Sequence, residues 1–136
     1  MPNTTEEKDA IRQVLAEYCF SLDDGRFEDM AALFTPDGTW HTDFGKGVGR
    51  AGIVEHARSL RSEAPRPRGA HLTSNIVISL DGDRARVRSN WLAAQNSSAG
   101  PVVSSAGAYI DEMVKQDGRW LFHYRRIDRF IAAGKP

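Results

Sequence analysis

Asp23 and His71 are the two residues whose types and settings best suit acid-base chemistry. An imidazole in a mostly apolar pocket titrates close to neutrality, and a carboxylate at one ring nitrogen fixes its tautomer and strengthens it as a base. Asp23 closes an amphipathic helix at Asp23-Asp24-Gly25, and His71 opens a long strand at Gly69-Ala70-His71. The same two residues also fit a plainer arrangement, a core histidine beside a helix-end charge, and spacing alone does not separate the two. Tyr18, five residues before Asp23 on the same helix, adds a hydroxyl that can polarise a carbonyl or hold a leaving hydroxyl, or can simply be core.

Trp40, Trp91 and Tyr109 each fall mid-strand and form a possible aromatic wall suited to a flat apolar substrate. Arg125 on the last strand is the polar residue placed to support an oxyanion or leaving group. Its alternative is membership, with Arg126 and Arg129, of an exposed basic edge. The histidines His41, His56, His71 and His123 lack ligand spacing, so no metal is expected. Gly45, Gly47 and Gly49 match neither a phosphate loop nor GxGxxG. The expected chemistry needs no cofactor.

The elements that must position these residues follow from periodicity. Ile11, Val14, Leu15, Tyr18, Cys19 and Leu22 form one stripe of a helix from about Glu6 to Asp23, capped by Thr4 or Thr5 and ended by Gly25. A short helix is predicted over Phe27 to Phe34, stopped by a turn at Thr35-Pro36-Asp37-Gly38. A strand over Thr39 to Phe44 and a flexible glycine-rich connection from Gly45 to Gly49 lead to a third helix over Ala51 to Leu60. Pro65 and Pro67 then break the chain. Two hairpins come next, with strands Ala70 to Leu80 and Arg84 to Gln95 joined at Asp81-Gly82-Asp83, then Val102 to Lys115 and Arg119 to Ile131 joined at Gln116-Asp117-Gly118.

Strict alternation puts His71, Thr73, Asn75 and Val77 on one face, and Ala85, Val87, Ser89, Trp91 and Ala93 on one face of the neighbour. In the last strand it separates Trp120, Phe122 and Tyr124 from Leu121, His123, Arg125 and Ile127. Helices first and a meander after predict one α+β domain over residues 1–136, with a curved antiparallel sheet wrapped around the N-terminal helices in a cone.

Eighteen basic and eighteen acidic residues cancel. A nucleic-acid backbone or an anionic membrane therefore finds no strong field, and a small hydrophobic ligand is the expected partner. The lone Cys19 excludes an intrachain disulfide and reads as packing in a reducing compartment. The polar, acidic N-terminus and the lack of any long apolar run point to a cytoplasmic protein. Asn96-Ser97-Ser98 then matches the glycosylation pattern by chance. An open curved sheet in so small a domain needs cover, so a homodimer or homotrimer is expected, joined through the Trp120, Phe122 and Tyr124 face or that of Arg86 and Arg88.

Nearly end to end, the chain resembles the SnoaL-like branch of the nuclear-transport-factor-2-like (NTF2-like) superfamily, which includes scytalone dehydratase, bile-acid 7α-dehydratase and lindane dehydrochlorinase. The resemblance is carried by Ile11-Arg12-Gln13-Val14 through Leu22-Asp23, Leu33-Phe34 through Trp40, Gly69-Ala70-His71 through Asn75, and Gly107-Ala108-Tyr109-Ile110-Asp111-Glu112 through Asp117-Gly118-Arg119-Trp120. It implies the NTF2-like (cystatin-like) α+β barrel and a catalytic dyad at Asp23 and His71. It also implies a dehydratase-type tyrosine at Tyr18, where the dehydrochlorinase has lysine, and pocket positions at Trp40, Trp91, Tyr109 and Arg125. Ser89-Asn90-Trp91 occupies the neighbourhood of scytalone dehydratase's second histidine, with Asn90 as partial substitute. The implied activity is that of a cofactor-independent lyase or isomerase on a small hydrophobic cyclic substrate. A non-catalytic ligand-binding or assembly subunit, like the small subunits of ring-hydroxylating dioxygenases, and a polyketide cyclase stand as alternatives within the same superfamily.

Overall fold

The computed structural model describes residues 3–61 and 68–132; the chain break expected at Pro65 and Pro67 lies outside the described residues. Helix α1 spans Thr4–Asp23. Its cap is Asn3 rather than Thr4 or Thr5, because the Asn3 Oδ1 accepts from the Thr5 amide at 2.9 Å and also reaches the Glu6 amide. Gly25, at φ 73°, turns the chain so that the amides of Asp24, Gly25 and Arg26 donate to the carbonyls of Phe20, Leu22 and Ser21. Those bonds end the helix at Asp23, and the chain leaves at a sharp corner.

Helix α2 is only Phe27–Ala31, shorter than the periodicity predicts, because Phe34 already pairs with Phe122 in the sheet. Strand β1 runs Phe34–Thr42, and the predicted turn at Thr35 to Gly38 is instead an irregularity within it, where the pairing shifts between Phe34 and Thr39. The glycine-rich connection is the edge strand β2, Gly45–Val48, paired antiparallel to β1. Helix α3 is Gly49–Leu60, followed by β3 Gly69–Asp81, β4 Arg84–Ser97, β5 Gly100–Gln116 and β6 Arg119–Ala132.

The six strands form one curved, unclosed sheet in the order β2-β1-β6-β5-β4-β3, antiparallel except that β1 lies parallel to β6. This is the NTF2-like (cystatin-like) α+β fold. Helix α1 packs on β3 and β6 and α3 on β1 and β2. Between helices and sheet lies a core built around Ile11, Leu15, Tyr18, Met30, Phe34, Trp40, Ile53, Val87, Tyr109, Met113 and Phe122.

Two bulges overturn the strict alternation expected from sequence. Asn75 takes φ 54°, a conformation asparagine tolerates better than most residues, and the β3–β4 register shifts between Ser74 and Val77. Beyond it Ile76, Ile78 and Leu80 turn towards the core, and Val77 is left 63% exposed. In β6, Phe122 pairs with Met113 but Tyr124 pairs with Glu112, so His123 is an extra residue. Trp120, Phe122, Arg125 and Ile127 therefore all lie on the core side, and Tyr124 turns outward to hydrogen-bond His41. The face of Trp120 and Phe122 is thus core and supplies no contact between subunits.

Glu7 ties the start of α1 to the far hairpin, accepting from Lys115 Nζ at 2.7 Å and from Trp120 Nε1 at 2.5 Å. The Lys115 and Trp120 hydrogen bonds hold its carboxyl below the usual glutamate range. A depressed folded-state pKa contributes stability above the ordinary glutamate value of about 4.3, and that stability fades as pH falls through the folded value. Glu7→Gln should lower the urea midpoint at neutral pH, and the gap from wild type should close in acid. A gap independent of pH would show that the ionised carboxylate contributes nothing.

Candidate functional site

The α1 corner and the first residues of β3 meet through Asp23. Its Oδ1 lies 2.5 Å from His71 Nδ1 and its Oδ2 accepts from the His71 backbone N–H at 2.8 Å. Both carboxylate oxygens are committed to one residue, and the Asp23 side chain is 9% exposed against 25% for His71. A carboxylate accepts, so in the neutral imidazole this contact places the proton on Nδ1 and leaves Nε2 with the free lone pair. That is the tautomer of a general base.

His71 lines a cavity of about 560 Å³ between the helices and the concave face of the sheet. Tyr18, Trp40, Trp91 and Tyr109 form its inner wall, with Leu22 and Leu60 from the helices and Ile127 from β6. The Trp91 and Tyr109 rings stack at 5.9 Å and 22°, and His71 lies 6.0 Å from Trp91. Trp91 is fixed by its indole N–H, which donates to the Asp128 carbonyl at 3.2 Å. Trp40 donates to the Tyr18 hydroxyl at 2.9 Å. Burial pushes the ionisation of Tyr18 and Tyr109 well above the ordinary phenol range, so both stay neutral.

Two sequence candidates lie elsewhere. Arg125 is fully buried but does not line the cavity. Its Nε and Nη2 bind Asp111 at 2.8 and 3.3 Å, and its guanidinium sits 3.6 Å from the Tyr109 ring centroid and 4.2 Å from that of Tyr18. It lies behind the phenol wall, so direct support of an oxyanion is replaced by support of the wall itself. Asn90 faces the opposite side of β4 from Trp91, donating to the Gly107 carbonyl and accepting from Asn75. Alternation along β4 gives it that side, and it does not substitute for a pocket histidine.

Sequence reasoning missed the mouth of the cavity. Arg129 binds Asp43 at 2.8 Å and lies over Trp91 and Phe44, at 5.1 and 5.5 Å from their centroids. No local pattern joins residues so far apart in the chain. It also passed over His56, whose Nε2 is 2.8 Å from the Thr42 hydroxyl and whose ring meets the edge of Trp40; burial depresses its pKa. Cys19 contacts the Thr73 hydroxyl at 3.3 Å, and burial raises its thiol pKa, which suits packing rather than nucleophilic attack. Among the described residues no group of three or more His, Cys, Asp or Glu side chains is arranged to hold a metal, and no helix is long and apolar enough to cross a membrane.

Residues 3–126 match the SnoaL-like domain, and the chain belongs to that family. An Rv3472 variant from Mycobacterium tuberculosis, a protein of unknown function, is 32% identical with a TM-score of 0.84, over 93% of this chain and 73% of the other. A Novosphingobium aromaticivorans protein named for scytalone dehydratase is 26% identical with a TM-score of 0.79, over 94% and 87%. The β subunit of an aromatic-ring-hydroxylating dioxygenase assigned in the same organism shares the fold at 22% identity and a TM-score of 0.78, over 96% and 95%. Comparison with the curated proteins gave no significant match.

Proposed function

We propose that the protein is a cofactor-independent lyase or isomerase of the dehydratase type, acting on a small hydrophobic cyclic substrate in the cytoplasm. The observation that carries this reading is the Asp23–His71 contact, which leaves Nε2 as a base on the wall of an aromatic cavity. His71 removes a proton next to a carbonyl, and Asp23 stabilises the imidazolium that forms. The Tyr18 hydroxyl takes up the enolate oxygen or the departing hydroxide, with Arg125 supporting the ring from behind. Trp40, Trp91 and Tyr109 offer the flat substrate an apolar aromatic wall. The direct test is α-proton exchange of cyclic ketones and β-hydroxyketones in D₂O, followed by proton NMR. Absence of both exchange and elimination across a panel that binds in the cavity would reject it. A polyketide cyclase would use the same base for carbon–carbon bond formation, and product analysis separates it.

Tyr18→Phe gives a sharper readout. An interaction that strengthens in the transition state should lower kcat by more than it raises KM. A merely structural hydroxyl would instead cost about 1 kcal/mol of stability and leave turnover per folded molecule unchanged.

A second reading, an assembly subunit, is favoured by one surface observation. On the outer face of the sheet Leu72, Leu92, Ala106 and Ile131 pair in register across β3, β4, β5 and β6, making an apolar row, and Leu72 and Ile131 are exposed. Arg86 and Arg88 project from the same side of β4. In the proposed enzyme this row joins two or three copies of the chain. Light scattering at micromolar concentration should report a dimer or trimer, and a monomer would refute that. Stoichiometric co-purification with an oxygenase large subunit would favour the assembly reading instead.

A further inference from the structure

The β1–β2 turn has a fixed base and a tip held from one side. At the base Thr42 and Gly45 form the last pair of the ladder. The buried Thr42 hydroxyl accepts from the Phe44 N–H at 3.1 Å, donates to the Gly45 carbonyl at 3.2 Å and meets His56 Nε2 at 2.8 Å. Gly45 takes φ 138°, a backbone conformation that favours glycine. The tip is Asp43 and Phe44, and among the described residues every ion-pair and ring contact of their side chains is to Arg129, which binds Asp43 at 2.8 Å and lies over the Phe44 ring. All three line the cavity, together with Trp91, whose ring also lies beneath the Arg129 guanidinium. Phe44 is 66% exposed and the Asp43 and Arg129 side chains 33% and 27%, whereas Tyr18, Trp40 and Tyr109 are buried. The tip therefore stands at the outer end of the cavity.

We infer that the Asp43–Phe44 tip is a gate over the cavity, hinged at Gly45 and latched by the Asp43–Arg129 ion pair, so that this pair governs how fast a ligand enters and leaves rather than how tightly it is held. The inference rests on the proposed function only in taking the cavity as the substrate site. Swinging the tip outward about Gly45 breaks one partly exposed ion pair and one ring contact, and leaves the Thr42–Gly45 pair and the His56 contact in place. Both broken contacts are weak at an exposed site, so opening is frequent. Loops that close a site move on the microsecond to millisecond scale and limit product release in many enzymes. Because the latch is made alike in the empty and the occupied protein, it opposes entry and exit equally. A group that gripped the ligand would instead act chiefly on its release.

The test follows 1-tetralone, a neutral bicyclic ketone, binding to the intact protein, with NMR line-shape analysis at the Trp91 indole N–H giving both rate constants. Asp43→Ala should raise both by about two- to fivefold, the range a partly exposed ion pair supplies, and should leave Kd unchanged. Raising the ionic strength from about 0.05 M to about 0.5 M should do the same to wild type, because salt screens the pair, and should do nothing to Asp43→Ala. That series uses the native protein, so it decides the matter even if the variant fails to fold. Asp29→Ala, which breaks an ion pair with Arg26 away from the cavity, should leave the rates as in wild type. A change in release alone would make Asp43 and Arg129 part of the grip on the ligand and overturn the gate. Unchanged rates in Asp43→Ala, or an equal effect from Asp29→Ala, would overturn it too. If wild type does not bind 1-tetralone in the cavity, the gate and the substrate site fall together. Absence of proton exchange with the rate pattern intact would reject the proposed function and leave the gate in place.

Discussion

Replacing His71 with glutamine should leave a folded protein whose turnover has fallen by about 10²–10⁴, the contribution of a positioned general base. Asp23→Asn should fall by a similar factor for a reason specific to this site. Asp23 accepts from two donors at once, the Nδ1–H and the backbone N–H of His71. An asparagine amide has one acceptor oxygen and one donor nitrogen, so it satisfies only one of them. If its nitrogen faces the imidazole, the ring adopts the opposite tautomer and Nε2 carries a proton instead of a lone pair. If its nitrogen faces the backbone, two donors meet and the junction of α1 with β3 loosens. Steady-state rates on whichever cyclic ketone shows proton exchange, with binding measured in parallel, check this. Both variants should retain binding. Near-normal turnover in either would remove Asp23 and His71 from the mechanism.

The contact of Asp23 with His71 was legible in the sequence because each partner sits beside a strong local signal: a glycine stop after an amphipathic stripe for Asp23, and the opening of a β-branched run for His71. The wall residues Trp40, Trp91 and Tyr109 were legible for the same reason, since none has a bulge between it and the register that places it. The errors cluster where local propensity gives way to long-range pairing. Thr35-Pro36-Asp37-Gly38 has turn composition, but Phe122, far along the chain, draws Phe34 and the residues after it into β1. Gly45 to Val48 lacks side chains that mark a strand and becomes one through pairing with β1 alone. The bulges at Asn75 and His123 each reverse which residues face inward. A period-two reading therefore misassigned Val77 and separated Arg125 from Phe122. Asn90 went the other way, its pocket role resting on resemblance while alternation with Trp91 pointed outward. The Arg129–Asp43 pair at the mouth exists only once β6 returns beside β1.

The buried pair Asp111–Arg125 carries the largest expected effect on stability. Both side chains are fully buried. Burial pushes the Asp111 carboxyl up, opposed by the charge and hydrogen bonds of Arg125. The guanidinium is held by that carboxylate and by the rings of Tyr109, Tyr18 and Phe122, the last at 4.5 Å, while its Nη1 has no hydrogen-bond partner among the described residues. Removing one partner strands the other charge in a medium that solvates it poorly, at a cost of about 3–5 kcal/mol. Asp111→Leu and Arg125→Met should each lose stability on that scale in urea unfolding. The double variant should be more stable than either single one, because a neutral apolar pair leaves no uncompensated charge. Additive losses would show that the two side chains act independently. If Arg125 serves the site only by supporting the phenol wall, the double variant should keep the dyad's proton exchange per folded molecule. A direct oxyanion role would instead make Arg125→Met as damaging to turnover as loss of His71, and the cavity geometry argues for the former.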